Sequence, residues 1–248
     1  MGKIDDIQAY KEWTEYHRSL KRDKAADNLS PVERKKKLEK LEANVIEWIL
    51  FFFSEFAKYP FTKFHKKAIK RITTNMEWYE VLSWSRELAK STIVFMCMMY
   101  LVLTGKKKNV LLISNSHENA VRLLEPYKKA FESNSMLKAY YGDLREFGSW
   151  TADEFTLTTG ATFRAIGALE SPRGTRKDAV RPDTALVDDF DTDADCRNPD
   201  ILKKKWEWFE EALFPTRSIS EDLLVIFCGN LIALDCCVKR AGDKADPW

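Results

Sequence analysis

Two short stretches bring together side chains that could do chemistry on a phosphate. The first is Ser85-Arg86-Glu87-Leu88-Ala89-Lys90-Ser91-Thr92. A lysine and a serine at a helix start can place an ammonium against β- and γ-phosphates and a hydroxyl on Mg²⁺. The first N–H groups of the helix would cradle the phosphate oxygens. The spacing follows the Walker A pattern GxxxxGK[ST], with Trp84 and Ala89 where the pattern has glycine. Read alone, the stretch is equally a helix N-terminus with a capping serine and a solvated lysine.

The second stretch is Thr184-Ala185-Leu186-Val187-Asp188-Asp189, an apolar strand ending in two carboxylates, as a Walker B strand does. Neighbouring side chains on an extended chain point to opposite sides. One acid, Asp188, would serve Mg²⁺, and the other, Asp189, would orient and deprotonate a water. Asp189 is one methylene shorter than the usual Glu. Two other readings stand beside this one: an exposed acidic loop, and a calcium loop. Asp189, Asp191, Asp193, Asp195 and Asp200 fall at positions one, three, five, seven and twelve of an EF-hand. Ala194 then occupies the position that needs glycine, and a strand precedes the loop instead of a helix.

The surrounding pattern supplies elements to hold these groups. Ile4, Ile7, Tyr10, Trp13, Tyr16 and Leu20 recur at helical spacing and predict an amphipathic helix. Ser30-Pro31-Val32-Glu33 is a capping-box helix start, and Leu38, Leu41, Val45, Trp48, Phe52 and Phe56 share one face of the helix it opens, which Pro60 ends. A short helix follows near residues 62–72. Strands are expected at 78–83, 109–113, 184–187 and 223–228. Helices are expected at 90–103, 117–132 and 198–213, the second of these with Pro126 inside it. Residues 155–158 and 162–166 flank Thr159-Gly160 as a hairpin. Apolar strands alternating with helices argue an α/β fold with a mainly parallel sheet flanked by helices. Residues 1–59 read as an N-terminal helical appendage, and residues 60–248 as the main domain.

Composition narrows the class. With 45% apolar residues, and 40 basic against 38 acidic, the chain is neither disordered nor broadly basic. Five cysteines without a CxxC pair, and three histidines, fit neither a disulfide framework nor a zinc site, and suit a reducing cytoplasm. The apolar run at 92–103 is shorter than the ~20 residues a bilayer requires, so no membrane association is expected.

Taken together, these segments resemble the large terminase subunit of tailed bacteriophages, the ATPase that pumps DNA into a capsid. Its Walker A takes forms close to S-R-x-L-G-K-[ST], which Ser85 to Ser91 follow apart from Ala89. Ile166-Gly167-Ala168-Leu169-Glu170-Ser171-Pro172-Arg173-Gly174 is similar to the family's segment before Walker B. Val225-Ile226-Phe227-Cys228-Gly229-Asn230 is similar to the strand ending in its coupling motif. The likeness spans roughly residues 60–240. It implies a P-loop NTPase fold of the additional-strand type, with ATP and Mg²⁺ bound. Ser85, Arg86, Glu87, Leu88, Ala89, Lys90, Ser91 and Thr92 would hold the nucleotide, with Ser91 and Asp188 on the metal. Asp189 would be the catalytic carboxylate and Arg86 an arginine finger acting in cis. Gly229 and Asn230 would sense the γ-phosphate or couple hydrolysis to motion, and Arg173 would belong to a nucleotide-responsive loop. For each of these there is a plainer alternative: Arg86 as a surface arginine paired with an acid, Gly229-Asn230 as a turn, Arg173 in a surface loop. The family's adenine-side Gln has its nearest equivalent here in His65, which reads more simply as a surface histidine on a basic helix.

The resemblance also implies double-stranded DNA, a portal protein, a small terminase subunit and a homo-oligomeric ring as partners, in the cytoplasm of an infected or lysogenic bacterial host. Local basic clusters could contact DNA: Arg34 to Lys37, Lys66-Lys67 with Lys70-Arg71, Lys106 to Lys108, and Lys203 to Lys205. Each also reads as a solvated face. Trp206 and Trp208 could stack on bases, or pack in the core. Only twenty residues follow the strand ending at Cys228, so the family's nuclease domain is not expected in this chain. Two rivals to a motor ATPase are a nucleotide-binding or structural module without turnover, and a helicase-like ATPase.

Overall fold

A computed structural model of the chain describes residues 29–57, 59–171, 181–217 and 222–247. The helix expected at residues 4–20, and Arg173 with Gly174, lie outside the described residues. Helix α1 (Pro31–Glu42) begins with the expected capping box: Glu33 N donates to Ser30 Oγ, and Ser30 N donates to the Glu33 carboxylate at 2.9 Å. The apolar periodicity predicts one helix onward to Pro60, but the chain breaks at Ala43. Asn44 Oδ1 accepts from the N–H groups of Ile46 and Glu47 and starts a new helix, α2 (Val45–Phe52). A short amide side chain that bonds the backbone two residues on competes with helix continuation. Helix α3 (Lys63–Thr74) follows, with Thr62 as its cap.

Next come β1 (Trp78–Leu82), α4 (Lys90–Leu103), β2 (Asn109–Ser114), α5 (His117–Ser133) and α6 (Ser135–Tyr141). Then β3 (Arg145–Trp150) and β4 (Glu154–Leu157) lead to β5 (Thr162–Gly167) and β6 (Thr184–Asp188). The chain ends with α7 (Asp193–Cys196), α8 (Pro199–Glu207), β7 (Leu224–Cys228) and α9 (Cys237–Gly242). The helix expected over 198–213 is α-helical only to Glu207. It widens to a π turn over Trp208–Leu213 and tightens to a 3₁₀ turn over Phe214–Thr216. Pro215 has no N–H to give to an α-helical ladder, which ends the regular helix there. Helix α5 runs through Pro126.

One seven-stranded sheet orders these strands β1-β7-β6-β2-β5-β4-β3. The neighbours from β1 to β5 are parallel, and β4 and β3 extend the sheet antiparallel. Strand β7 therefore lies between β1 and β6 as the additional strand. Alternation along the strands splits the core into two layers. Leu82, Leu112, Leu186 and Ile226 face a layer that includes Trp48, Phe52, Ile69, Tyr127 and all of Ile93 to Val102. Val81, Ile113, Val187 and Phe227 face Phe190, Leu202, Phe209 and Val238. Helix α4 has no solvated side beyond its first turn because it lies between the sheet and helices α2 and α3.

Candidate functional site

The register of three strands places the site. Leu82 pairs with Cys228, and Cys228 pairs with Asp188, so β1, β7 and β6 end at one level. The residues that follow each strand meet at the C-terminal edge of the sheet, where open α/β sheets bind ligands. Gly229 N donates to Leu82 O at 3.3 Å and ties the ends of β7 and β1 together.

Between β1 and α4 the loop turns through two non-glycine residues in the left-handed region, Glu87 at φ 69° and Ala89 at φ 58°. Ala89 thus adopts the backbone form that the missing glycine would take most easily. Ala89 is also the N-cap of α4 and has no side chain that can cap it. The other described α-helices have an acceptor at this end: Ser30, Asn44, Thr62, Ser116, Asn134, Thr192 and Asn198 cap their own helices. Asp191 Oδ2 reaches across to accept from Cys237 N at 2.6 Å for α9. Among the described residues no side chain pairs with the first N–H groups of helix α4, an arrangement suited to an anion.

Lys90 and Ser91 lie at this helix start and reach the other two strand ends. Lys90 Nζ donates to Trp84 O at 2.5 Å, Ser85 O at 3.4 Å and Asn230 Oδ1 at 3.0 Å. Ser91 Oγ donates to Asp188 Oδ2 at 2.5 Å. Asp188 is 9% exposed, and burial raises its carboxyl to about 6, with the Ser91 hydrogen bond opposing. Asp189 is exposed, with φ 45°. The two carboxylates thus differ in setting: one is buried against Ser91, the other open to solvent. A serine hydroxyl and a carboxylate in contact form the hard-oxygen donor set that Mg²⁺ takes together with waters and phosphate oxygens. The residues fit that ion.

Of the residues named from the sequence, the fold brings Lys90, Ser91, Asp188, Asp189, Gly229 and Asn230 to one place. Ser85, Arg86, Glu87 and Leu88 form the loop above it, and Arg86 is exposed. Thr92 continues the first turn of α4. The calcium reading is overturned. Asp191 caps α9, while Asp195 completes the Thr192 capping box and pairs with Lys205 Nζ at 2.8 Å. Asp188, for its part, faces Ser91.

The basic clusters are not uniform faces. Lys107 and Lys205 are 2% and 3% exposed, and Arg71 pairs with the fully buried Glu80 at 3.0 Å. Lys63, Lys66, Lys67 and Lys70 of α3 remain on an exposed face. Trp206 is core, against Phe209, and Trp208 Nε1 donates to Glu170 O at 2.6 Å. Sequence reasoning missed the Lys90–Asn230 contact in detail, and missed the tie between His65 and Leu88. No local signal marks either, because each joins residues far apart in the chain.

Fold and register together define a P-loop-type α/β domain with an additional strand. No protein-family model and no curated protein matches the chain. Among solved structures, the chain is similar to one titled the crystal structure of the HK97 bacteriophage large terminase, at 14% identity with a TM-score of 0.51. The match covers 76% of this chain and 37% of that one, so the chain spans well under half of that protein's length. The fold is terminase-like. Among the described residues no helix is long and apolar enough to cross a membrane.

Proposed function

We propose that this chain is an ATP-hydrolysing module of the large-terminase type, acting with Mg²⁺ to drive double-stranded DNA into a procapsid. The observation that carries the reading is the meeting of three strand ends at the uncapped start of α4: Lys90 contacts Asn230, and Ser91 contacts Asp188.

In this reading the phosphates lie on the first N–H groups of α4. The Lys90 ammonium exchanges its bonds to Trp84, Ser85 and Asn230 for phosphate oxygens. Ser91 and Asp188 would hold Mg²⁺, which supplies charge neutralisation on the phosphates. Asp189 accepts a proton from the water that attacks the γ-phosphorus, and ADP leaves with the bridging oxygen. Arg86 is exposed within the loop and would place positive charge on the transferring group in cis, a contribution of ~10³–10⁵ in rate where such fingers act. Asn230, released from Lys90, would report the nucleotide state. The face of α3 carrying Lys63, Lys66, Lys67 and Lys70 would meet the DNA backbone. A portal protein, a small subunit, a ring of copies and a bacterial host cytoplasm belong to the same proposal.

The test is Mg²⁺-dependent ATP hydrolysis by the wild type and by Lys90→Ala, with nucleotide binding measured in parallel. Turnover lost in Lys90→Ala is the expected result. Binding without turnover in the wild type would leave a nucleotide-responsive module, and no binding would end the proposal.

A further inference from the structure

The capping box that starts α3 uses an uncommon residue. Its third helical position is usually Glu or Gln, whose side chain reaches back to the N-cap N–H. Here His65 does this: Nδ1 accepts from Thr62 N at 3.3 Å, and Thr62 Oγ1 accepts from His65 N at 3.5 Å. A carboxylate would complete the cap equally well and stop there. Imidazole has a second nitrogen, and His65 Nε2 lies 3.2 Å from the carbonyl oxygen of Leu88, twenty-three residues further along.

These two partners fix the protonation state. Thr62 N–H can only donate, so Nδ1 must present its lone pair. Leu88 O can only accept, so Nε2 must carry the hydrogen. One neutral tautomer satisfies both contacts. Burial of the ring lowers its pKa, which favours the neutral form. Packing holds the ring in place as well. Its centroid is 4.1 Å from that of Phe64 and 5.5 Å from that of Trp84, whose carbonyl receives Lys90.

Leu88 stands between Glu87 and Ala89, the two residues of this loop at positive φ. Such residues are strained and persist only where their surroundings hold them. The Leu88 side chain is itself 39% exposed and so is not anchored in the core. Among the described residues, no other hydrogen bond is recorded to the main chain of residues 86–88.

We infer that His65 is a positioning residue for the phosphate loop: its Nε2–H holds the Leu88 carbonyl and thereby fixes the left-handed pair that stands in for the missing glycine geometry. This rests on the nucleotide-binding reading of that loop. It assigns His65 no contact with the nucleotide.

Two substitutions separate the two bonds. His65→Asn keeps an acceptor near the Nδ1 position and loses the reach to Leu88. His65→Gln keeps a donor near the Nε2 position. Amide hydrogen exchange is measured without nucleotide, and MgATP affinity with it. In His65→Asn, exchange over residues 86–92 rises about fivefold and affinity falls by about the same factor, the scale of one backbone hydrogen bond. Protection in β2 and β7 stays at the wild-type level, which shows that the sheet is intact. His65→Gln stays within about twofold of wild type in both measurements. Wild-type exchange over residues 86–92 in His65→Asn, or losses in His65→Gln equal to those in His65→Asn, would overturn the inference. Should the wild type fail to bind MgATP, the proposed function falls, and the exchange comparison still decides the role of His65.

Discussion

At the N-terminal edge of the sheet Lys107 is 2% exposed, and its Nζ donates to three carbonyls, those of Met76, Asp183 and Asp222, at 2.8–3.0 Å. At the C-terminal edge Lys90 Nζ also holds two carbonyls and an amide oxygen, but it does so in a loop that is partly open to solvent. The Lys107 side chain itself is closed off from solvent. Asp183 accepts from the N–H groups of Lys108 and Asn109 at 2.6 and 3.1 Å and joins β2 to β6. The open edge instead collects groups whose partners a ligand can replace: an uncapped helix start, a buried acid on a hydroxyl, a lysine on acceptors that are themselves partly exposed. The same residue type is structural at one edge and available at the other, and solvent access to its partners makes the difference.

Swapping losses between the two edges tests that contrast. Lys90→Ala should lower kcat for ATP by ~10² or more while leaving the denaturant midpoint near wild type, because the ammonium's partners there can turn to water. Lys107→Met should do the reverse. Three buried carbonyls lose a donor, and unfolding free energy should fall by about 4 kcal/mol, read from urea melts, with the activity of the folded fraction retained.

The open edge is not loose throughout. A Cβ on Gly167 would lie 2.4 Å from His117 N and 2.9 Å from Ser116 C, both backbone atoms that cannot turn aside. Gly167→Ala should cost about 2–3 kcal/mol in the same melts. The smallest effect has the opposite sign. Burial holds the Asp188 carboxyl at about 6, above the ~3.9 of an unfolded chain. The native state therefore binds this proton more tightly. Its stabilising contribution is complete below about pH 4 and is lost as pH rises through 6. Asp188→Asn should raise stability without Mg²⁺ at pH 7 by about 1–2 kcal/mol, flatten that part of the pH profile, and abolish hydrolysis. A variant that loses stability at pH 7 would show that the two edges do not differ as described.

Most of the sheet was legible because its strands are short apolar runs between turn residues, and α4 was legible from Lys90 to Leu103. The acceptors and donors of the site could be named because they follow those strands. Other features lacked a local mark. The apolar stripe of α1 continues in phase across Ala43, so nothing in the period announces the break at Asn44. Strand β3 is an exposed edge strand carrying Arg145, Glu146 and a fully exposed Phe147, without the alternation of a half-buried strand. Lys107 and Lys205 lie in runs of lysine that read as solvated, and only the tertiary fold shows which member of each run turns inward. His65 looked like part of a basic surface for the same reason: its second partner, Leu88, belongs to another loop.

The bonds that Lys90 makes within the protein have a thermodynamic consequence. In the proposed function its ammonium would exchange Asn230 for a phosphate oxygen, so ligand affinity and the placement of Asn230 would form a single equilibrium. The affinity read would then be the intrinsic one reduced by the fraction of molecules in which Lys90 is free. Linkage would make this reciprocal: whatever draws Asn230 aside, from however far away, would tighten phosphate binding by the same factor with which phosphate sets Asn230 loose.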